Sequence, residues 1–158
     1  MTIVDDYSWY TWIFVLKQNF EVLKILENFV TFVQTQFETT IRSDNGSKFF
    51  MTNFFANKGI VHQTSCVNTP YQNSIVERKH CHILNVARAL MVQSHLTKIY
   101  WSYFVIHVAH IINMFSTPVL NDFSPHEMLY KTATNFNQLN VFGSLCYSST
   151  SPKNRKKV

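Results

Sequence analysis

Two carboxylates carry most of the chemistry this chain can offer. Asp44 closes the run Ile41-Arg42-Ser43, and Glu77 follows the polar stretch Thr69-Pro70-Tyr71-Gln72-Asn73 and the apolar pair Ile75-Val76. Between Asn45 and Asn121, Glu77 is the only acidic residue, whereas Lys48, Lys58, Arg78, Lys79, Arg88 and Lys98 are all basic. A lone carboxylate in such surroundings is either a structural cap or a metal ligand beside a polyanion. Phosphoryl transfer on a nucleic-acid backbone needs charge held on both the attacking and the leaving oxygen. Paired Mg²⁺ or Mn²⁺ ions gripped by carboxylates supply this. An acid at a strand end opposite an acid in the first turn of a helix would make such a clamp. Arg78, Lys79 and Arg88 would then reach the phosphates, with Gln72 and Asn73 touching DNA from the loop before the helix.

The structural alternative is equally concrete. Ser74-Ile75-Val76-Glu77 has the spacing of a capping box, in which Glu77 would serve a backbone N–H. Asp44 with Asn45 and Gly46 would only make a turn. On spacing alone this reading ranks ahead.

The elements that must position these residues follow from hydrophobic periodicity. Thr2 to Val4 and Trp9 to Leu16 predict a hairpin turning at Asp5-Asp6-Tyr7-Ser8. Phe20 to Phe37 predicts a helix, with Val22, Leu23, Leu26, Phe29, Val30 and Val33 at helical spacing. Thr39 to Arg42 and Ile60 to Gln63 predict short strands around a helix from Lys48 to Asn57 that ends at Gly59. The best-defined helix runs from Ser74 to Ser94. It gathers Ile75, Val76, Ile83, Val86, Ala87 and Leu90 on one side, with Glu77, Cys81, Leu84 and Arg88 on another. Thr97 to Phe115 predicts a helix apolar all round, hence buried. Ser124-Pro125-His126-Glu127 predicts a capped short helix to Tyr130, and Val141 to Tyr147 a last strand. This order predicts an α/β fold, a mixed sheet flanked by helices.

The 158 residues suffice for one domain with a core, and 46% hydrophobic with 15% aromatic content excludes a disordered chain. A charged fraction of 15% with fourteen Phe predicts poor solubility alone or apolar surface covered by self-association. The net charge of +5 favours an acidic partner, nucleic acid first. Cys66, Cys81 and Cys146 fit a reducing compartment better than a disulfide framework. No signal peptide or membrane span is read, so a nuclear or cytoplasmic location is expected. His80-Cys81-His82 invites a zinc reading, but residues two apart on a helix diverge. His107 and His110 read as core or interface histidines.

Several motifs in register point further. Ser43-Asp44-Asn45-Gly46, His62-Gln63-Thr64-Ser65-Cys66, Thr69-Pro70-Tyr71-Gln72-Asn73 and Val76-Glu77-Arg78-Lys79 together resemble the integrase catalytic core of copia-type LTR retrotransposons. Val4-Asp5-Asp6-Tyr7-Ser8, Asn113, Ser124-Pro125, Val141-Phe142-Gly143 and Cys146-Tyr147 match in the same order, over nearly the whole chain. The resemblance implies an RNase H-like fold and a triad of two aspartates and a glutamate holding two divalent metals. It also implies cleavage of element DNA ends and their joining to target DNA, with cores that pair through helices. Asp44 would be the second acid and Glu77 the third, with Mg²⁺ or Mn²⁺ as cofactor, DNA and a second copy as partners, and no membrane or small-molecule substrate.

The departures are equally specific. The family's first Asp lies on a strand upstream of Val-Asp-Asp-Tyr-Ser, so the chain is expected to be truncated at its N-terminus and partly degenerate, with its first strand absent. Thirty-two residues separate Asp44 from Glu77, fewer than usual, with the shortening around Phe49 to Lys58. Trp9 replaces an Arg and Ser74 a Gly. Residues 1–130 are expected to form the incomplete core, and 131–158 a following segment with a strand and a basic tail. Three functions remain open on the sequence: a metal-dependent integrase core, a catalytically dead relic that binds DNA, and a dimerising domain without DNA contact.

Overall fold

The computed structural model describes residues 1–35, 40–43, 51–64, 74–145 and 147. Asp44, Gln72, Asn73, Cys66, Cys146 and the basic tail lie outside the described residues.

Strands β1 (Thr2–Val4) and β2 (Thr11–Ile13) form the expected antiparallel hairpin, with Ile3 opposite Trp12. The second strand is shorter than its apolar run because the turn takes up Trp9 and Tyr10. Asp5 Oδ2 accepts from the Ser8 N–H at 2.7 Å and from its hydroxyl at 2.6 Å. The Trp9 N–H closes on the Asp5 carbonyl at 2.8 Å, with Trp9 at φ 59°. Strands β3 (Thr40–Ser43) and β4 (Val61–Thr64) pair in parallel, Ile41 opposite His62. The described strands thus form two two-stranded sheets, one antiparallel and one parallel.

Helix α1 (Glu21–Gln34) links the two sheets through packing. Val22, Leu26, Val30 and Val33 recur at helical spacing and are buried. Leu26 and Val30 meet Phe55 and Ile60, and Ile3 of β1 and Ile41 of β3 both pack on that cluster. Phe29 receives the rings of Trp12 and Phe14 at 5.1 and 5.8 Å between centroids. Helix α2 (Thr52–Asn57) brings Phe55 into this cluster and ends at Gly59, whose φ of +65° is the left-handed stop that glycine adopts at little cost.

Helix α3 (Ser74–Ser94) has the bounds its periodicity predicts. Its buried residues Ile83 and Ala87 meet Phe104, Val105, Val108 and Ala109 of α4 (Trp101–Met114). Leu84, expected on the outer side, packs partly buried against this cluster, while Val86 is exposed. The buried arc is therefore centred nearer Leu84 than expected.

Helix α4 departs in two respects. A single 3-10 turn, Lys98–Tyr100, precedes it, and it is not buried all round. Ile99 of that turn and Tyr103 and Ile106 of α4 are 81%, 63% and 50% exposed, and Tyr103 and Ile106, three apart, share one side of the helix. Helix α5 (Pro125–Tyr130) opens with the predicted capping box, both reciprocal bonds being present.

The final strand is not observed among residues 141–145. The Ser144 N–H bonds the Val141 carbonyl at 3.1 Å and Gly143 has φ +86°, so the chain turns where the alternation suggested extension. A Cβ at Gly143 would sit 3.3 Å from Leu96, a second reason for glycine. The turn places the Phe142 ring 4.7 Å from that of Phe104, so tertiary packing outweighs β-propensity here.

Candidate metal and nucleic-acid site

Strand β3 ends at Ser43, the residue before Asp44, and its end is held across the sheet. Ser43 Oγ lies 2.9 Å from His62 Nε2, and the His62 ring stacks on buried Phe55 at 4.5 Å. The chain is thereby fixed to the last residue before the first candidate ligand.

Glu77 occupies the first turn of α3 and is exposed. The helix N-terminus favours its negative charge. The capping reading does not describe it, because Ser74 is the first helical residue rather than the cap. Among the described residues no hydrogen bond reaches the Glu77 carboxylate. Glu127 shows the contrast. It accepts from the Ser124 N–H at 2.9 Å and hydroxyl at 2.8 Å, and these bonds hold its pKa below the usual carboxylate value. Glu77 thus keeps its oxygen lone pairs available, as a ligand for a hard divalent cation must. Among the described residues no three His, Cys, Asp or Glu side chains group closely enough to hold a metal; Asp44 lies outside them.

The basic candidates separate. Arg78 is exposed beside Glu77. Arg88 is exposed and donates from Nη1 to Asn85 Oδ1 at 2.9 Å. Lys79, two residues from Glu77 and so on nearly the opposite side of the helix, is half-buried with Nζ 5.3 Å from the centre of the Trp9 ring. Burial lowers its pKa. Residues 72 and 73, which precede α3 directly, are not described.

His80, which the sequence offers only within the His80-Cys81-His82 zinc motif, is instead tied to the hairpin. Its Nδ1 lies 2.7 Å from Thr2 Oγ1 of β1. The available signal was its position three residues after Glu77. Asp5 and Asp6 occupy the hairpin turn, and the bonds from Ser8 commit Asp5 to it. Cys81 is an exposed free thiol. No single described helix is long and apolar enough to cross a membrane.

This fold recurs in solved structures. The HTLV-2 integrase catalytic core domain, solved in complex with magnesium in a trimeric form, superposes with a TM-score of 0.61 at 16% identity, over 80% of each chain. The catalytic core domain of BIV integrase gives a TM-score of 0.61 at 18% identity, over 82% of this chain and 84% of the other. The chain therefore has the α/β fold of the integrase catalytic cores, which is RNase H-like.

Sequence relatives narrow this further. The chain is 36% identical over 159 aligned residues to the retrovirus-related Pol polyproteins from transposons RE1 and RE2 of Arabidopsis thaliana, an alignment covering 98% of this chain. It is 24% identical to that from transposon TNT 1-94 of Nicotiana tabacum over its full length. It spans about a tenth of these relatives, 11% of the first two and 12% of the third. No protein-family model matches the chain. The chain is homologous to a segment of retrovirus-related Pol polyproteins and has the fold of the integrase catalytic cores.

Proposed function

We propose that this segment is the integrase core of a copia-type retrotransposon polyprotein, which binds DNA and contributes two carboxylates to metal-dependent strand transfer. Asp44 and Glu77 are the metal ligands of this reading, Mg²⁺ or Mn²⁺ the cofactor, and element ends and target DNA the substrates. When bound, the cations offset charge on the attacking and leaving oxygens. Arg78 and Arg88 contact phosphates, Lys79 joins them once its ammonium leaves Trp9, and Gln72 and Asn73 touch DNA ahead of α3. A nuclear or cytoplasmic site of action belongs to the same reading.

The observation that carries it is the exposed, uncommitted carboxylate of Glu77 at the start of α3, in a chain with the integrase-core fold. Asp5 is engaged in its turn, and in this reading Asp44 and Glu77 are the acids that hold the metals. We expect the 158-residue chain alone to bind Mg²⁺ weakly and to show no strand transfer.

Two measurements test the reading. Duplex DNA should bind the chain with an affinity that falls steeply with salt. Mn²⁺ binding, followed by solvent-proton relaxation, should drop on Asp44→Asn or Glu77→Gln while DNA binding persists. Mn²⁺ binding indifferent to both substitutions would refute the ligand assignment, and robust oligonucleotide joining by the unaltered chain would refute the expected inactivity.

A second reading, a self-associating domain without DNA contact, is favoured by the exposed patch of Ile99, Tyr103 and Ile106. Salt-insensitive behaviour towards DNA would select it.

A further inference from the structure

Thr2 and His80 are 78 positions apart in sequence, yet Thr2 Oγ1 and His80 Nδ1 lie 2.7 Å apart. The bond joins the edge of the hairpin sheet to the second turn of α3. The rest of the His80 ring is exposed, and with Nδ1 engaged, Nε2 is the nitrogen left to meet a ligand. His80 follows Glu77 by three residues, so their Cβ atoms lie roughly 5–6 Å apart on one flank of the helix.

A threonine hydroxyl both donates and accepts, so Thr2 can satisfy either tautomer. When it donates to Nδ1, the ring proton sits on Nε2, which becomes an outward-facing donor beside an unpaired carboxylate. The rival reading, a metal-binding histidine, suits a softer ion than Mg²⁺. Hard divalent cations prefer oxygen donors in any case. An N–H donor on a stretch with one acid matches a phosphate oxygen better.

We propose that His80, oriented by Thr2, binds a DNA phosphate beside Glu77. The inference rests on the reading of the Glu77 flank as the DNA face. His80 acts on the phosphate directly, and Thr2 is a positioning residue.

The test is anisotropy of a fluorescein-labelled DNA duplex titrated with the 158-residue chain, with fold checked by circular dichroism. His80→Ala should weaken binding about tenfold, and His80→Gln, which keeps an amide donor, should recover most of the loss. Thr2→Val keeps a strand-forming residue and should weaken binding about threefold, yet add nothing in the His80→Ala background, as coupled positions require. The Nε2 ¹⁵N resonance of His80 should shift on adding duplex, a change that a purely structural Thr2–His80 tie would not produce. Unchanged binding in His80→Ala, with loss in Arg78→Ala, would overturn the His80 assignment and leave the DNA face standing. Absence of salt-sensitive binding by the unaltered chain would overturn both.

Discussion

At the scale of single residues, Asn113 shows how a polar side chain can serve a fold rather than a site. It is buried in α4, and its amide imitates a strand. Oδ1 accepts from the Thr11 N–H at 2.9 Å and Nδ2 donates to the Thr11 carbonyl at 2.8 Å. Thr11 is only 2% exposed, so no water substitutes easily. Asn113→Ala should therefore strand two buried backbone groups and cost about 2–4 kcal/mol, read as a lowered urea midpoint. Asn113→Asp should cost at least as much, since it sets a carboxylate against the Thr11 carbonyl. A loss below roughly 0.5 kcal/mol would show that the edge of β2 finds other partners. Asn113 was visible in the sequence only as one match among many. Nothing in its neighbours shows that an amide 102 positions away from Thr11 completes the edge of β2. Glu77 was visible for the opposite reason, since its isolation among basic residues is a local fact. Its uncommitted state is a property of the fold, because it depends on where α3 begins.

Individual elements were legible where one periodicity governed them. The bounds of α3, the hairpin, the two short strands β3 and β4 and the capping box of α5 followed from local pattern, which the structure keeps; that β3 and β4 pair in parallel did not. The failures lie where a side chain answers to a distant surface. Phe142 packs against the α3–α4 cluster instead of extending a strand, and α4 leaves Tyr103 and Ile106 open where its apolar sequence suggested burial all round. The Asp44–Glu77 pairing, on which the candidate site depends, was read from residue type and position and favoured over capping by resemblance, and Asp44 lies outside the described residues. The same elements predict two separate acid responses. His107 packs its ring 4.7 Å from Phe142, and burial, then the neighbouring charge of His110, lower its pKa from 6.5. A folded-state pKa below the unfolded one means that the unfolded chain binds the proton more readily. Stability should therefore fall as pH drops below 6.5 towards the folded value, loosening the 140–142 segment. Glu127 also has a lowered pKa, through the backbone and then the side-chain hydrogen bonds of Ser124. Its contribution is present above the ordinary value of 4.5 and is lost as pH falls through its folded value. Acid titration followed by methyl and ring NMR should show the Phe142 environment changing first and the start of α5 later. His107→Gln should remove the first step and Ser124→Ala the second; a single concerted transition in all variants would contradict this order.

For the molecule as a whole, the question is what covers its apolar surface. Only 15% of residues are charged, and two-stranded sheets supply little stability by themselves. The core is built mainly by helices, α1 over α2 and both sheets, and α3 against α4. On and just before α4, Ile99, Tyr103 and Ile106 are open to solvent, with His110 exposed one turn further on. A lone exposed leucine or tyrosine needs no explanation, but three close in sequence, two on α4 and one in the turn before it, make an apolar patch. A second copy of the chain can cover that patch with its own, by two-fold pairing of α4 with α4. Because the driving force is apolar burial, self-association should persist or strengthen in salt, whereas DNA binding should weaken, so the two are separable in one titration. Tyr103→Lys with Ile106→Glu places charges in the patch without touching Phe104, Val105 or Val108, which face the core. The double variant should therefore stay folded and shift the chain from dimer to monomer in sedimentation velocity at micromolar concentration. Its DNA affinity per chain should stay within about threefold of the original if the α3 flank alone meets the phosphates. A variant that remains dimeric would place the pairing surface elsewhere. One that loses DNA binding together with dimerisation would mean that two copies build the nucleic-acid face jointly.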